Sequence, residues 1–270
     1  MIKNIKSILR DIKNYFFIIK NPFGRKIHAS KKYYLDKFNE VKNRKYENID
    51  NFKSVFKFPI NKDWMDDLAL HTQVVKKKSQ INYQHGRILY SVLKEYINEN
   101  QYKNIQVLEI GTARGFSSIC MSRSIIDSNI NGSIYTIDII PNNLRFYWNC
   151  IDDHEAQKSR KELLSKWEKE LQNIIFVTGP SRFVLKKLNL SRVNFAFIDG
   201  MHDTLNIKRE FDFIKSKQKK NDIIIFDDVS ETFPEVAKFI NFLRSQNIYQ
   251  IQILSSDQFR SYAICKKIND

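Results

Sequence analysis

Three aspartates and a histidine stand at the ends of two apolar runs late in the chain. Phe195-Ala196-Phe197-Ile198 leads into Asp199, with His202 three residues on, and Ile223-Ile224-Ile225-Phe226 leads into Asp227-Asp228. Continuous runs of this kind read as strands buried on both faces. In a parallel sheet their carboxyl ends open on one rim. Three carboxylates meeting there repel one another unless they are protonated or share a cation. A hard divalent ion with oxygen ligands, Mg²⁺ by default, is the natural partner for Asp199, Asp227 and Asp228. The alternative is a charged cleft without metal. The acids are not needed as helix caps, because Thr232-Phe233-Pro234-Glu235 reads as a capping box and Asp203 or Thr204 can cap the helix before it. His202 suits general-base work, since a metal lowers the pKa of a hydroxyl and a neighbouring imidazole can take the proton near neutral pH. A loop histidine at a helix start is the plainer reading of that position.

A second constellation lies upstream. Val107-Leu108-Glu109-Ile110 is a short strand pattern, followed by Gly111-Thr112-Ala113-Arg114-Gly115 and a helical pattern from Phe116. Glycines at a strand-to-helix turn let backbone come close to a ligand. A dinucleotide turn would need glycine where Ala113 and Phe116 stand, which argues against a pyrophosphate. Glu109, at the strand end, is placed to receive an amino group if exposed. Asp138 ends the next strand, 29 residues on, where a carboxylate can accept from both ribose hydroxyls. A ligand with an amino-acid moiety, a ribose and no phosphate fits this pair, and S-adenosylmethionine has those parts. Solvated strand ends are the bland alternative.

The elements that must position these residues alternate regularly. Strands are expected at 105–110, 133–138, 174–178, 193–199 and 222–227, and helices at 116–126, 159–171, 181–188, 204–217 and 233–245. Two closing strands, 249–254 and 261–266, are too close together for a crossover helix. The expected fold is α/β: a Rossmann-like, doubly wound, mostly parallel seven-stranded sheet with a C-terminal antiparallel hairpin that gives one antiparallel edge strand. Before it, residues 86–99 have helical period, and residues 1–80 read as a basic, partly helical extension to a domain at 81–270. Residues 25–80 look irregular, yet their aromatic content suggests a partly packed segment.

The net charge of +15 is uneven: residues 1–104 hold 22 Lys and Arg against 10 Asp and Glu, and residues 105–270 hold 23 against 20. Residues 1–20 form a basic amphipathic helical pattern, ended by Asn21-Pro22-Phe23-Gly24. Such a helix either lies on an anionic membrane surface or packs on its own domain or a second subunit. With no apolar run of about 18 residues and three dispersed cysteines, Cys120, Cys150 and Cys265, the expected setting is cytoplasmic, with peripheral membrane contact as an option. The segment 147–154 falls in an insertion after the second strand, and Asp152, Asp153 and His154 read as lid or helix-start residues, with a second metal site as the alternative. His71 and His85 read as structural, and His28 is uninformative.

V-L-E-I-G-T-A-R-G-F-S-S with I-Y-T-I-D resembles motifs I and II of class I S-adenosylmethionine-dependent methyltransferases, over about residues 84–266. The resemblance assigns Glu109, Gly111, Thr112, Gly115, Ser117, Asp138 and Ser181 to the cofactor; Ser181 would equally serve as a helix N-cap. The acids resemble those of the metal-dependent O-methyltransferases of the catechol, macrocin and cephalosporin-biosynthesis types, implying Asp199, Asp227 and Asp228 as metal ligands. This chain departs from the catechol type by Asp-Asp in place of Asp-Asn at 227–228, and by His202 in place of a lysine. The function so implied is methyl transfer to a hydroxyl of a small molecule or saccharide. The competing readings are a nucleic-acid methyltransferase, disfavoured by Ile198-Asp199-Gly200-Met201-His202 where the amino-methylating motif would stand, and a non-catalytic, membrane-tethered binding module.

Overall fold

The computed structural model describes residues 20–269, so the amphipathic pattern of residues 1–20 falls almost wholly outside the described residues. From Lys31 onward, four short helices precede the sheet among the described residues: α1 (Lys31–Val41), α2 (Glu47–Asp50), α3 (Lys53–Lys57) and α4 (Lys62–Thr72). The expected irregular segment is therefore largely helical. Its short turns are fixed by burial, with Tyr34, Ile49 and Leu68 all wholly inaccessible, although pieces of this length are marginal as isolated helices. The long helix α5 (His85–Asn100) then leads into the sheet.

The sheet comprises β1 (Asn104–Ile110), β2 (Asn131–Asp138), β3 (Ile174–Thr178), β4 (Phe195–Ile198), β5 (Ile223–Phe226), β6 (Tyr249–Ser255) and β7 (Ser261–Lys267), in the order β3-β2-β1-β4-β5-β7-β6. The pairs β1–β2, β1–β4, β2–β3 and β4–β5 are parallel; β7 is antiparallel to both β5 and β6. The antiparallel strand is thus β7, one place in from the edge, and β6 is the edge. The short hairpin makes β6 and β7 antiparallel neighbours. Its second strand takes the open side of β5 and pushes the first outward.

Side chains of each central strand alternate between two layers. Val107, Phe195, Phe197, Ile223 and Ile225 face α5 and α6 (Phe116–Asp127). Leu108, Ala196, Ile198, Ile224 and Phe226 face α10 (Thr204–Lys217) and α11 (Pro234–Gln246). The single helix expected over 159–171 is broken into α7 (Arg160–Leu163), a 3₁₀ turn at Ser165–Trp167 and α8 (Glu168–Leu171). The break lets Leu164 and Trp167 enter the core on the α5/α6 side. The helix α9 (Ser181–Lys187) follows β3. Strand order reverses between β1 and β4, so the crevice at their carboxyl ends is where a ligand fits in a sheet of this type.

Candidate active site

The glycine turn sits in that crevice. Gly111 has φ +100°, its N–H donates to the Ile137 carbonyl at 2.9 Å, and a Cβ there would stand 2.0 Å from the Asp199 backbone oxygen. Only glycine fits. The turn leaving β1 thus rests directly on the end of β4, which brings the two constellations together. Gly115, with φ +89°, opens α6 against Leu164. Ala113 is also left-handed, with φ +45°. Asp138 holds this turn: it accepts from the Ala113 amide at 2.6 Å and the Ile140 amide at 2.8 Å.

Glu109 departs from expectation. It lies wholly buried under the turn and accepts from the hydroxyls of Ser117, Ser118 and Thr136. The strand's alternation points it into the α6 layer, where Ser117 and Ser118 meet it, so it does not present an exposed carboxylate to an amino group. Burial pushes its pKa up and the three hydroxyls oppose that. Thr112, also buried, pairs with Thr136 at 2.5 Å. Glu109, Thr112 and Ser117 therefore shape the floor of the turn. Ser181 is the first residue of α9, not its cap; Pro180 holds the cap position, and the Ser181 hydroxyl donates to Glu210 Oε1 at 2.5 Å.

The acid rim divides in two. Asp228 and Asp199 converge with His202, and one ligand atom from each lies within 4.8 Å of the others. His202 Nε2 is 3.5 Å from Asp228 Oδ2 and 3.9 Å from Asp199 Oδ1, has no hydrogen-bond partner, and its ring packs on Phe233 at 4.4 Å. Asp227 turns away from this set. Both of its oxygens are taken by Arg260, Nε to Oδ1 at 3.0 Å and Nη2 to Oδ2, and the Asp228 amide donates to Oδ1 at 2.7 Å. Of the three aspartates expected as metal ligands, Asp199 and Asp228 thus converge with His202, while Asp227 faces Arg260. Burial, then Asp227, pushes the Asp199 carboxyl well above the usual range. Asp227 is raised by burial but held below its ordinary value by Arg260.

Asp203 caps α10 as expected, accepting from the Asn206 amide at 3.1 Å. The Thr232 capping box does not form: Phe233 holds the cap position, and Glu235 accepts from Thr204. In the insertion, Asp152 meets His71 at 2.5 Å and Lys158 at 2.7 Å, Asp153 accepts from the Trp148 amide at 2.6 Å, and His154 Nε2 lies 2.8 Å from the Ala29 carbonyl. These residues brace the insertion against the N-terminal helices. His85 is buried beside Phe116 and Phe197.

Arg260 and Arg160 were not legible beforehand. Arg260 lies in the β6–β7 connection, 33 positions from Asp227. Arg160 stands in a charged stretch that reads as surface. The signal for either is tertiary.

Residues 108–229 match a family of methyltransferase domains. No protein of curated function matches the chain. Among solved structures, cofactor-bound Rv0187 from MTB aligns with a TM-score of 0.57 at 16% identity, over 84% of this chain and 100% of that one. TomG from Streptomyces achromogenes, an O-methyltransferase in complex with S-adenosylmethionine, aligns at 0.53 and 13% identity, over 90% and 100%. An O-methyltransferase from Bacillus cereus in complex with S-adenosylhomocysteine aligns at 0.52 and 14%, over 86% and 96%. The strand order and the match over residues 108–229 agree on the fold of a methyltransferase domain.

Proposed function

We propose that the chain transfers the methyl group of S-adenosylmethionine to a hydroxyl of a small molecule or saccharide, with a divalent cation, Mg²⁺, held by Asp199, Asp228 and His202. The observation that carries this is the convergence of those three side chains beside the β1 turn. The donor set fits a cation. His202 Nε2 lacks a partner, and Asp199 lies between burial and a neighbouring carboxylate that both disfavour its charge. Among known folds of this kind the acceptor differs widely; the choice of a hydroxyl rests on the acid cluster and on analogy with the O-methyltransferases named above.

A bound divalent ion would supply Lewis-acid activation of the acceptor hydroxyl. The remaining work belongs to the chain. Gly111–Gly115 and Asp138 hold the donor in the crevice, which makes the transfer effectively unimolecular. With His202 Nε2 committed as a ligand in this reading, the hydroxyl proton passes to solvent. The acceptor oxygen attacks the methyl carbon in line, the carbon–sulphur bond breaks, its electron pair stays on sulphur, and S-adenosylhomocysteine leaves.

Mn²⁺ titration followed by electron paramagnetic resonance, with S-adenosylhomocysteine affinity measured by calorimetry on the same samples, tests the reading. Wild type should bind both. Asp228→Asn should weaken Mn²⁺ by roughly 10-fold or more, as loss of a charged ligand does, with S-adenosylhomocysteine affinity unchanged. Wild type that binds the cofactor product but no divalent ion overturns the metal role.

A further inference from the structure

The guanidinium of Arg160 is buried beside the cofactor turn and is incompletely paired. Arg160 opens α7, directly after the insertion, with 1% of its surface exposed. Its Nε donates to the Ala113 carbonyl at 2.9 Å. Its Nη2 lies 3.8 Å from Asp138 Oδ2 and makes no hydrogen bond. The Trp148 and Phe176 rings flank it at 5.7 and 5.6 Å. A charged group enclosed in this way is costly unless its donors are used. Burial pushes its pKa down to about 10, against the pull of Asp138 and then Glu109.

A closed circuit joins the three groups. The Arg160 Nε holds the Ala113 carbonyl, the same residue's amide holds Asp138 Oδ2, and Nη2 faces that oxygen across the gap. Each Asp138 oxygen has one backbone donor and one acceptor direction left. A vicinal diol needs both oxygens in a fixed plane. The two amides fix that plane, and the Arg160 guanidinium, anchored by its bond to Ala113, sets its charge beside Oδ2.

We propose that Arg160 is a positioning residue that sets Asp138 for the ribose hydroxyls of S-adenosylmethionine, and so ties cofactor recognition to the insertion that precedes it. This rests on the methyltransferase assignment above.

The test is calorimetric affinity for S-adenosylhomocysteine and for its 2′-deoxy and 3′-deoxy analogues, in wild type, Arg160→Gln and Arg160→Lys, with melting curves alongside. Arg160→Gln should weaken S-adenosylhomocysteine roughly 10-fold, the size of one lost charge-assisted contact, while barely changing the deoxy analogues, so that discrimination between them collapses. Arg160→Lys should restore part of it. Equal weakening of all three ligands makes Arg160 a structural brace and overturns the proposal, as does unchanged affinity. If Arg160→Gln does not fold, Arg160→Lys, Asp138→Asn and the double variant supply a cycle; strictly additive losses overturn the proposal equally. Wild type that fails to bind S-adenosylhomocysteine instead contradicts the methyltransferase assignment, a separable outcome.

Discussion

A carboxylate with 1% of its surface exposed must meet a cation or give up its charge, and Asp227 meets Arg260 through both oxygens. That pairing changes the chemistry of the rim, because it leaves two carboxylates and an imidazole, in place of three carboxylates, to answer for one another. Arg260→Leu should cost about 3–5 kcal/mol in urea unfolding at neutral pH, the usual consequence of stranding one partner of a buried pair. The pH dependence should also change sign. In wild type the folded pKa of Asp227 is depressed, so its contribution is present above the unfolded carboxylate range and lost as pH falls through the lower folded value. In the variant, burial, the largest influence, is opposed only by His85 and the Asp228 amide and raises the pKa, so this contribution is lost as pH rises. Urea midpoints at pH 3 and pH 7 with the same trend in both proteins would contradict the assignment.

The junction of α9 with α10 carries its own titration. Glu210 on α10 is buried, accepts from Ser181 at the start of α9, and leaves Oε2 without a partner. Burial lifts its pKa from 4.5 to about 7, with the Ser181 hydrogen bond opposing. A raised folded pKa gives stability that is complete below the unfolded value and lost as pH rises through the folded one. Glu210→Gln should therefore be more stable than wild type at pH 8 by on the order of 3 kcal/mol, at 1.36 kcal/mol per pKa unit, with the gap closed at pH 5. Chemical denaturation at the two values checks this, and a constant difference would rule it out. At this scale the sequence was readable wherever periodicity was strong. The ends of β3 and α10 match the expected ones residue for residue. It misled at 159–171, where helical spacing continued but packing of Leu164 and Trp167 bent the chain into short pieces, a tertiary override of local preference.

Across the whole molecule, the N-terminal helices and the sheet share one hydrophobic cluster: Tyr34, Ile49 and Leu68 lie in it with Phe116, Ile119 and Phe197. The same helices hold the insertion over the glycine turn. Tyr34 donates to Asn149 at 3.2 Å, Asn149 and the Lys76 backbone exchange bonds of 3.1 and 2.9 Å, and Arg114 Nε donates to the Trp148 carbonyl at 2.6 Å. A chain that starts at residue 77 should therefore lose cooperative thermal unfolding and S-adenosylhomocysteine binding together; a truncated protein with an unshifted melting midpoint would refute this. Among the described residues no helix is long and apolar enough to cross a membrane. The sequence alone determined the order of strands and helices, the glycine turn and the acids at the strand ends, because backbone periodicity and turn chemistry are local and leave their mark in residue order. Only the tertiary structure decided which acids meet. Alternation along β1 buried Glu109 under hydroxyls, and an arginine from a distant hairpin claimed Asp227. A third element brought Arg160 behind Asp138. Charge pairing between elements depends on where side chains arrive in space, and no spacing in the sequence records that.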